Sequence, residues 1–152
     1  MHRKFISFVL LLALCAVIAR AEDKKHYLNL DRNGVIIKGY DPVAYFTDGK
    51  PVKGDAKFES SYEGAKYRFA SEEHKKLFDA DPEKYAVQYG GFCGYAVSKG
   101  YTASIDPNAF LIEDGRLVLQ NGSGALDGWK KNAESLKNAD ANWPKIVEKK
   151  GK

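Results

Sequence analysis

Two side chains hold most of the chemistry available to this chain beyond its first twenty residues: His74 and Cys93. Imidazole and thiolate together suit a soft transition metal, and copper fits the pair better than zinc because two protein ligands can satisfy Cu(I). The same pair could serve as base and nucleophile. No third residue at informative spacing would orient the base, so an enzyme is not the leading expectation. Each residue also has a plainer role. Leu77 and Phe78 are the i+3 and i+4 neighbours of His74 on a helix. Glu72, Glu73, Lys75 and Lys76 occupy its other faces. The spacing therefore predicts a buried face, with the imidazole satisfied by backbone or a hydroxyl. Cys93 follows Gly90-Gly91-Phe92, and a free cysteine commonly packs as a small hydrophobe. Tyr45, Tyr67, Tyr89 and Tyr95 are candidates for an aromatic ligand surface, each with an apolar body and a hydroxyl.

The elements that must position these residues are short. Asp41-Pro42 starts a helical turn, with an Asx cap and proline at the first position. Residues 57–63 and 65–70 alternate apolar and polar around Glu63-Gly64, a hairpin signal. Ser71 caps the helix of His74, with Glu72 and Glu73 in its first turn. Asp81-Pro82 ends that helix and begins another. Residues 92–98 are ambiguous in pattern; read as a helix, they place Cys93, Ala96 and Val97 on one face. A second hairpin is expected around Asp114-Gly115. Helical patterns then run over 125–137 and 139–147, with Pro144 expected to kink or restart the last. No internal repeat is legible. The sum is α+β, one small domain of antiparallel hairpins and several short helices.

The first 21 residues read as a secretory signal. Arg3 and Lys4 precede an apolar run over 5–18, and Ala19 and Ala21 stand at the cleavage positions. That run is short of the ~20 residues that span a bilayer, so no stable membrane anchor is expected. Removing 21 of the 152 residues leaves one domain-sized chain. Losing Arg3, Lys4 and Arg20 brings the net charge from +4 to +1. A near-neutral chain without a basic block is not a nucleic-acid binder. Cys15 leaves with the signal, so Cys93 stands alone and no intramolecular disulfide can form. The chain divides into signal 1–21, flexible lead-in 22–34, domain 35–147 and tail 148–152. The protein is expected in the periplasm or secreted.

The motifs Gly39-Tyr40-Asp41-Pro42-Val43-Ala44-Tyr45-Phe46, Tyr67-Arg68-Phe69-Ala70-Ser71, Asp81-Pro82-Glu83-Lys84-Tyr85, Gly90-Gly91-Phe92-Cys93 and Asp140-Ala141-Asn142-Trp143-Pro144 resemble the small exported members of the YHS-domain family. The resemblance spans about residues 35–147 and implies a treble-clef-like fold. It also implies a three-cysteine metal site, at positions held here by Ala44, Ala70 and His74. Two of those thiolates are absent, because alanine has no donor atom. The leading expectation is a binding protein for copper or another soft metal through His74 and Cys93. The alternative is a metal-free domain binding a small ligand or protein through its aromatic surface.

Overall fold

The computed structural model describes residues 24–152. The signal-sequence expectation lies outside these residues. Helix α1 (Pro42–Thr47) is capped by the Asp41 side chain, as its Asp-Pro start predicts. Strands β1 (Asp55–Tyr62) and β2 (Ala65–Phe69) form an antiparallel hairpin. Glu63 and Gly64 both take positive φ at its turn, the geometry that matches strand twist. Helices α2 (Glu72–Ala80) and α3 (Pro82–Tyr85) follow, capped by Ser71 and Asp81. Helix α4 (Gly94–Ser98) precedes a second hairpin, β3 (Asp106–Glu113) and β4 (Arg116–Gln120). Helices α5 (Ser123–Lys131) and α6 (Ser135–Lys150) complete the chain. The α+β expectation with two antiparallel hairpins holds.

Topology reveals a duplication that the side chains hide. Strand bounds 55–62 and 65–69 recur at 106–113 and 116–120, a shift of 51. The register irregularity recurs with them, between Asp55 and Glu59 and again between Asp106 and Phe110. A positive-φ turn precedes each short helix, at Ile37-Lys38-Gly39 and at Tyr89-Gly90-Gly91. Even single hydrogen bonds repeat. Asp41 N–H donates to Val52 O at 2.8 Å, and Cys93 N–H to Ala103 O at 3.0 Å. The absence of an internal repeat, read from the sequence, is therefore corrected. The repeat is written in backbone geometry and turn positions, while most paired side chains differ.

Three local expectations also change. Pro144 lies inside an uninterrupted α6, and the helix–helix break falls near residues 132–134 instead. Cys93 is the cap residue of α4 rather than part of the helix. On α2, Phe78 is buried but Leu77 is 38% exposed, so only part of the expected face is core. The main core joins both units through Val43, Tyr45, Phe69, Phe78, Cys93, Leu117 and Leu119. A second cluster places Val97, Val118 and Trp129 beneath α6.

Candidate functional site

Asp41 is fully buried and accepts from four donors. Its Oδ1 takes the N–H groups of Val43 (2.8 Å) and Ala44 (3.3 Å), closing the first turn of α1. Its Oδ2 takes the Ala70 N–H at 2.8 Å and His74 Nδ1 at 2.6 Å. A carboxylate offers about four acceptor positions, so this one is saturated. Because the Oδ2 atom accepts, Nδ1 is a protonated nitrogen, and in the neutral ring Nε2 carries the lone pair. Nε2 lies 3.4 Å from the Thr47 hydroxyl, and the His74 side chain is 15% exposed. An imidazole held at Nδ1 by a carboxylate, with Nε2 presented, is oriented as metal ligands and general bases are.

Cys93 occupies the matching cap position of the second unit. Its thiol is 1% exposed. Sγ accepts the Asn121 N–H at 3.2 Å, as Asp41 accepts the equivalent Ala70 N–H. Sγ also lies 3.4 Å from Gln120 Oε1. A cysteine cannot close its own helix the way aspartate does, and Gln120 replaces it: its Oε1 takes the Tyr95 N–H at 2.8 Å. This accounts for a buried glutamine at the position where the first unit has Phe69. The Gln120 Nε2 has no hydrogen-bond partner among the described residues. It sits with the Trp129 ring against Gly94, where a Cβ would come within 3.2 Å of both.

The hydrogen-bond partners of His74 and Cys93 do not overlap: Asp41 and Thr47 surround one, Gln120 and Asn121 the other. The counterpart of His74 in the second unit is Ala125, which has no donor. Among the described residues, no group of three or more His, Cys, Asp or Glu side chains is placed to hold a metal ion.

A wider concavity lies elsewhere. A groove of ≈ 1020 Å³ runs between the first hairpin, the junction of the two units, the lead-in and α6. Tyr62, Ala65 and Tyr67 form one wall, and Val87, Gln88 and Tyr89 the floor. Asp140, Trp143 and Val147 project from α6, and Lys24 to Leu28 close the remaining side. Glycine is required at Gly90, with φ +59°: a Cβ there would strike the Tyr27 carbonyl and come within 3.0 Å of Trp143. The lead-in is pinned at both walls. Lys24 pairs with Glu63 at 3.1 Å and Lys25 with Glu148 at 3.0 Å, while His26 and Lys152 exchange backbone hydrogen bonds.

Of the four tyrosines singled out from sequence, Tyr67 and Tyr89 line this groove. Tyr45 is buried and donates to Pro107 O at 2.8 Å. Tyr95 packs over Gly128 with the Lys99 ammonium above its ring. Tyr62 also lines it, while Tyr27 and Trp143 were missed as lining residues, since only tertiary packing brings residues 27 and 143 together. Burial raises the Tyr67 phenol, partly offset by the Val87 N–H.

A polar cluster anchors one end. Asp140 accepts a two-point contact from Arg116 (3.0 and 2.9 Å) and the Tyr89 hydroxyl at 2.8 Å. Burial pushes the Asp140 carboxyl up, but the Arg116 and Tyr89 hydrogen bonds outweigh it and leave it below the usual carboxylate range. Burial, then Asp140, raises the Tyr89 phenol. A carboxyl depressed in the fold adds stability above the unfolded value, about 3.9. That contribution is lost as pH falls through the folded value. Asp140→Asn should therefore flatten the acid limb of the stability profile below about pH 4. Urea melts from pH 2 to 7 check this; parallel profiles in both proteins would contradict it.

Residues 43–89 match the YHS domain. The match runs from α1 through the first hairpin, α2 and α3 to the turn that opens the second unit. No curated protein and no solved structure is significantly similar to the chain.

Proposed function

We propose, with the YHS-domain match as premise, that this chain is an exported binding protein that holds a small organic ligand in its aromatic groove. The groove itself carries the reading. Its volume of ≈ 1020 Å³ is at the upper end of small-molecule sites, about 300–1,000 Å³. Its walls combine Tyr62, Tyr67, Tyr89 and Trp143 with a few polar groups, Gln88 and Asp140 among them, the usual make-up of such sites. A neutral dye, N-phenyl-1-naphthylamine, tests it by fluorescence enhancement. One equivalent should bind, and Ala86→Trp, which fills the groove, should abolish binding without lowering the melting temperature. Dye binding unaffected by Ala86→Trp would reject the groove.

A second reading keeps Cu(I) at His74 and Cys93. One observation favours it: Asp41 fixes Nδ1 and leaves Nε2 for a ligand. Against it, the donor set at His74 contains no second soft atom, and the Cys93 thiol is enclosed by its own partners. Titration with Cu(I) against a competing chelator decides. A single equivalent that weakens at least tenfold, about 1.4 kcal/mol, in both His74→Ala and Cys93→Ser supports the pair. Equal affinity in all three proteins removes it. Export itself predicts cleavage after Ala21, so the intact mass of protein recovered outside the cytoplasm should correspond to residues 22–152. A full-length mass would contradict cleavage. No helix among the described residues is long and apolar enough to cross a membrane.

A further inference from the structure

The charges around the groove narrow its ligand. Four carboxylates line it, Glu63, Glu83, Asp140 and Glu148, against two ammonium groups, Lys24 and Lys25. Each lysine is already paired, with Glu63 and Glu148. Arg116, which does not line the groove, neutralises Asp140. Glu83 makes no ion pair among the described residues. Among its lining residues the groove thus carries one unmatched negative charge, Glu83, while the Lys150 ammonium stands outside the lining, over Tyr27. The Tyr27 ring is already engaged, with Phe92 stacked at 4.7 Å and the Lys150 ammonium at 5.6 Å from the ring centroid. Among the described residues no cation lies over Tyr62 or Trp143, the part-exposed rings of the lining; Tyr67 and Tyr89 are buried behind them. Aromatic faces attract cations through the ring quadrupole, and indole does so most strongly. A quaternary or alkylated ammonium suits such a site better than a protonated primary amine, because its weak hydration costs less to remove and its alkyl groups fill apolar space.

We infer that the groove takes an organic cation of the quaternary or alkylated ammonium class, with the part-exposed rings of Trp143 and Tyr62 receiving the cation and Glu83 supplying the counter-charge. An anionic ligand meets carboxylates and already-paired lysines, and a neutral one leaves Glu83 unused. This inference rests on the groove being the ligand site. The test separates the two claims by using choline and its neutral carbon isostere, 3,3-dimethylbutan-1-ol, as competitors of the bound dye. Choline should displace the dye at a concentration at least tenfold below that needed for the alcohol. Glu83→Gln should weaken choline at least threefold and leave the alcohol within a factor of two, and Trp143→Leu should weaken choline by a larger factor than it weakens the alcohol. Glu83 is exposed, outside the core clusters, so Glu83→Gln keeps the test independent of folding. Equal displacement by choline and the alcohol would overturn the cation assignment while leaving the groove as a ligand site. Absence of any dye binding would overturn both.

Discussion

Asp41→Ala should lose about 3–5 kcal/mol of stability, the scale for removing one partner from a buried, hydrogen-bonded charge cluster. The residue is fully buried, and its loss strands the N–H groups of Val43, Ala44 and Ala70 together with His74 Nδ1. Each buried donor left without a partner costs about 1–3 kcal/mol before relaxation. Relaxation and water entry hold the total below the simple sum. The effect should exceed that of Cys93→Ala at the matching position, where Gln120 already performs the capping. Asp41→Asn keeps one oxygen acceptor and should fall between. Chemical denaturation of the three variants checks the order. An Asp41→Ala loss below about 1 kcal/mol, the worth of an ordinary surface cap, would refute the central tie.

Gly90→Ala should cost about 2–4 kcal/mol. A positive φ strains any residue with a Cβ, by roughly 1–3 kcal/mol, and overpacking adds about 1–3. The Cβ would meet the Tyr27 carbonyl and the Trp143 ring. The lead-in should therefore be displaced and the groove wall opened. Amide exchange at Asn29, whose N–H donates to Gly90 O at 2.8 Å, should accelerate by tenfold or more. Gly100→Ala is the control: it has a similar positive φ, but no atom lies within 4 Å of its Cβ position. It should show the backbone strain alone and unchanged exchange at Asn29. Equal effects of the two substitutions would contradict the packing role assigned to Gly90.

The fold was legible wherever a local rule determined it. Asp41-Pro42, Ser71 and Asp81-Pro82 announce helix starts, and Glu63-Gly64 and Asp114-Gly115 announce turns, because capping and positive φ restrict residue choice. The duplication was not legible. Asp41 caps its helix directly while Gln120 does so beside Cys93, so the two capping positions share no side-chain signature. Pro144 misled for another reason: packing of α6 against α4 and the second cluster outweighs the loss of one backbone donor. His74 was singled out from sequence, but its partner Asp41 was read only as a cap. The groove depends on residues as distant as Tyr27 and Trp143, whose rings lie 6.5 Å apart, and spacing along the chain says nothing of that contact.

Chemical-shift mapping tests the groove most directly. With N-phenyl-1-naphthylamine added to isotope-labelled protein, the amides of Gln88, Tyr89 and Gly90 and the Trp143 indole N–H should shift along one saturable curve. The Trp129 indole, held at 2.6 Å by Glu113 and away from the groove, should stay fixed, as should the amides of Thr47 and His74. Saturable shifts confined to Thr47, His74 or Cys93, or no saturable shift at the groove residues, would contradict a ligand site in the aromatic groove.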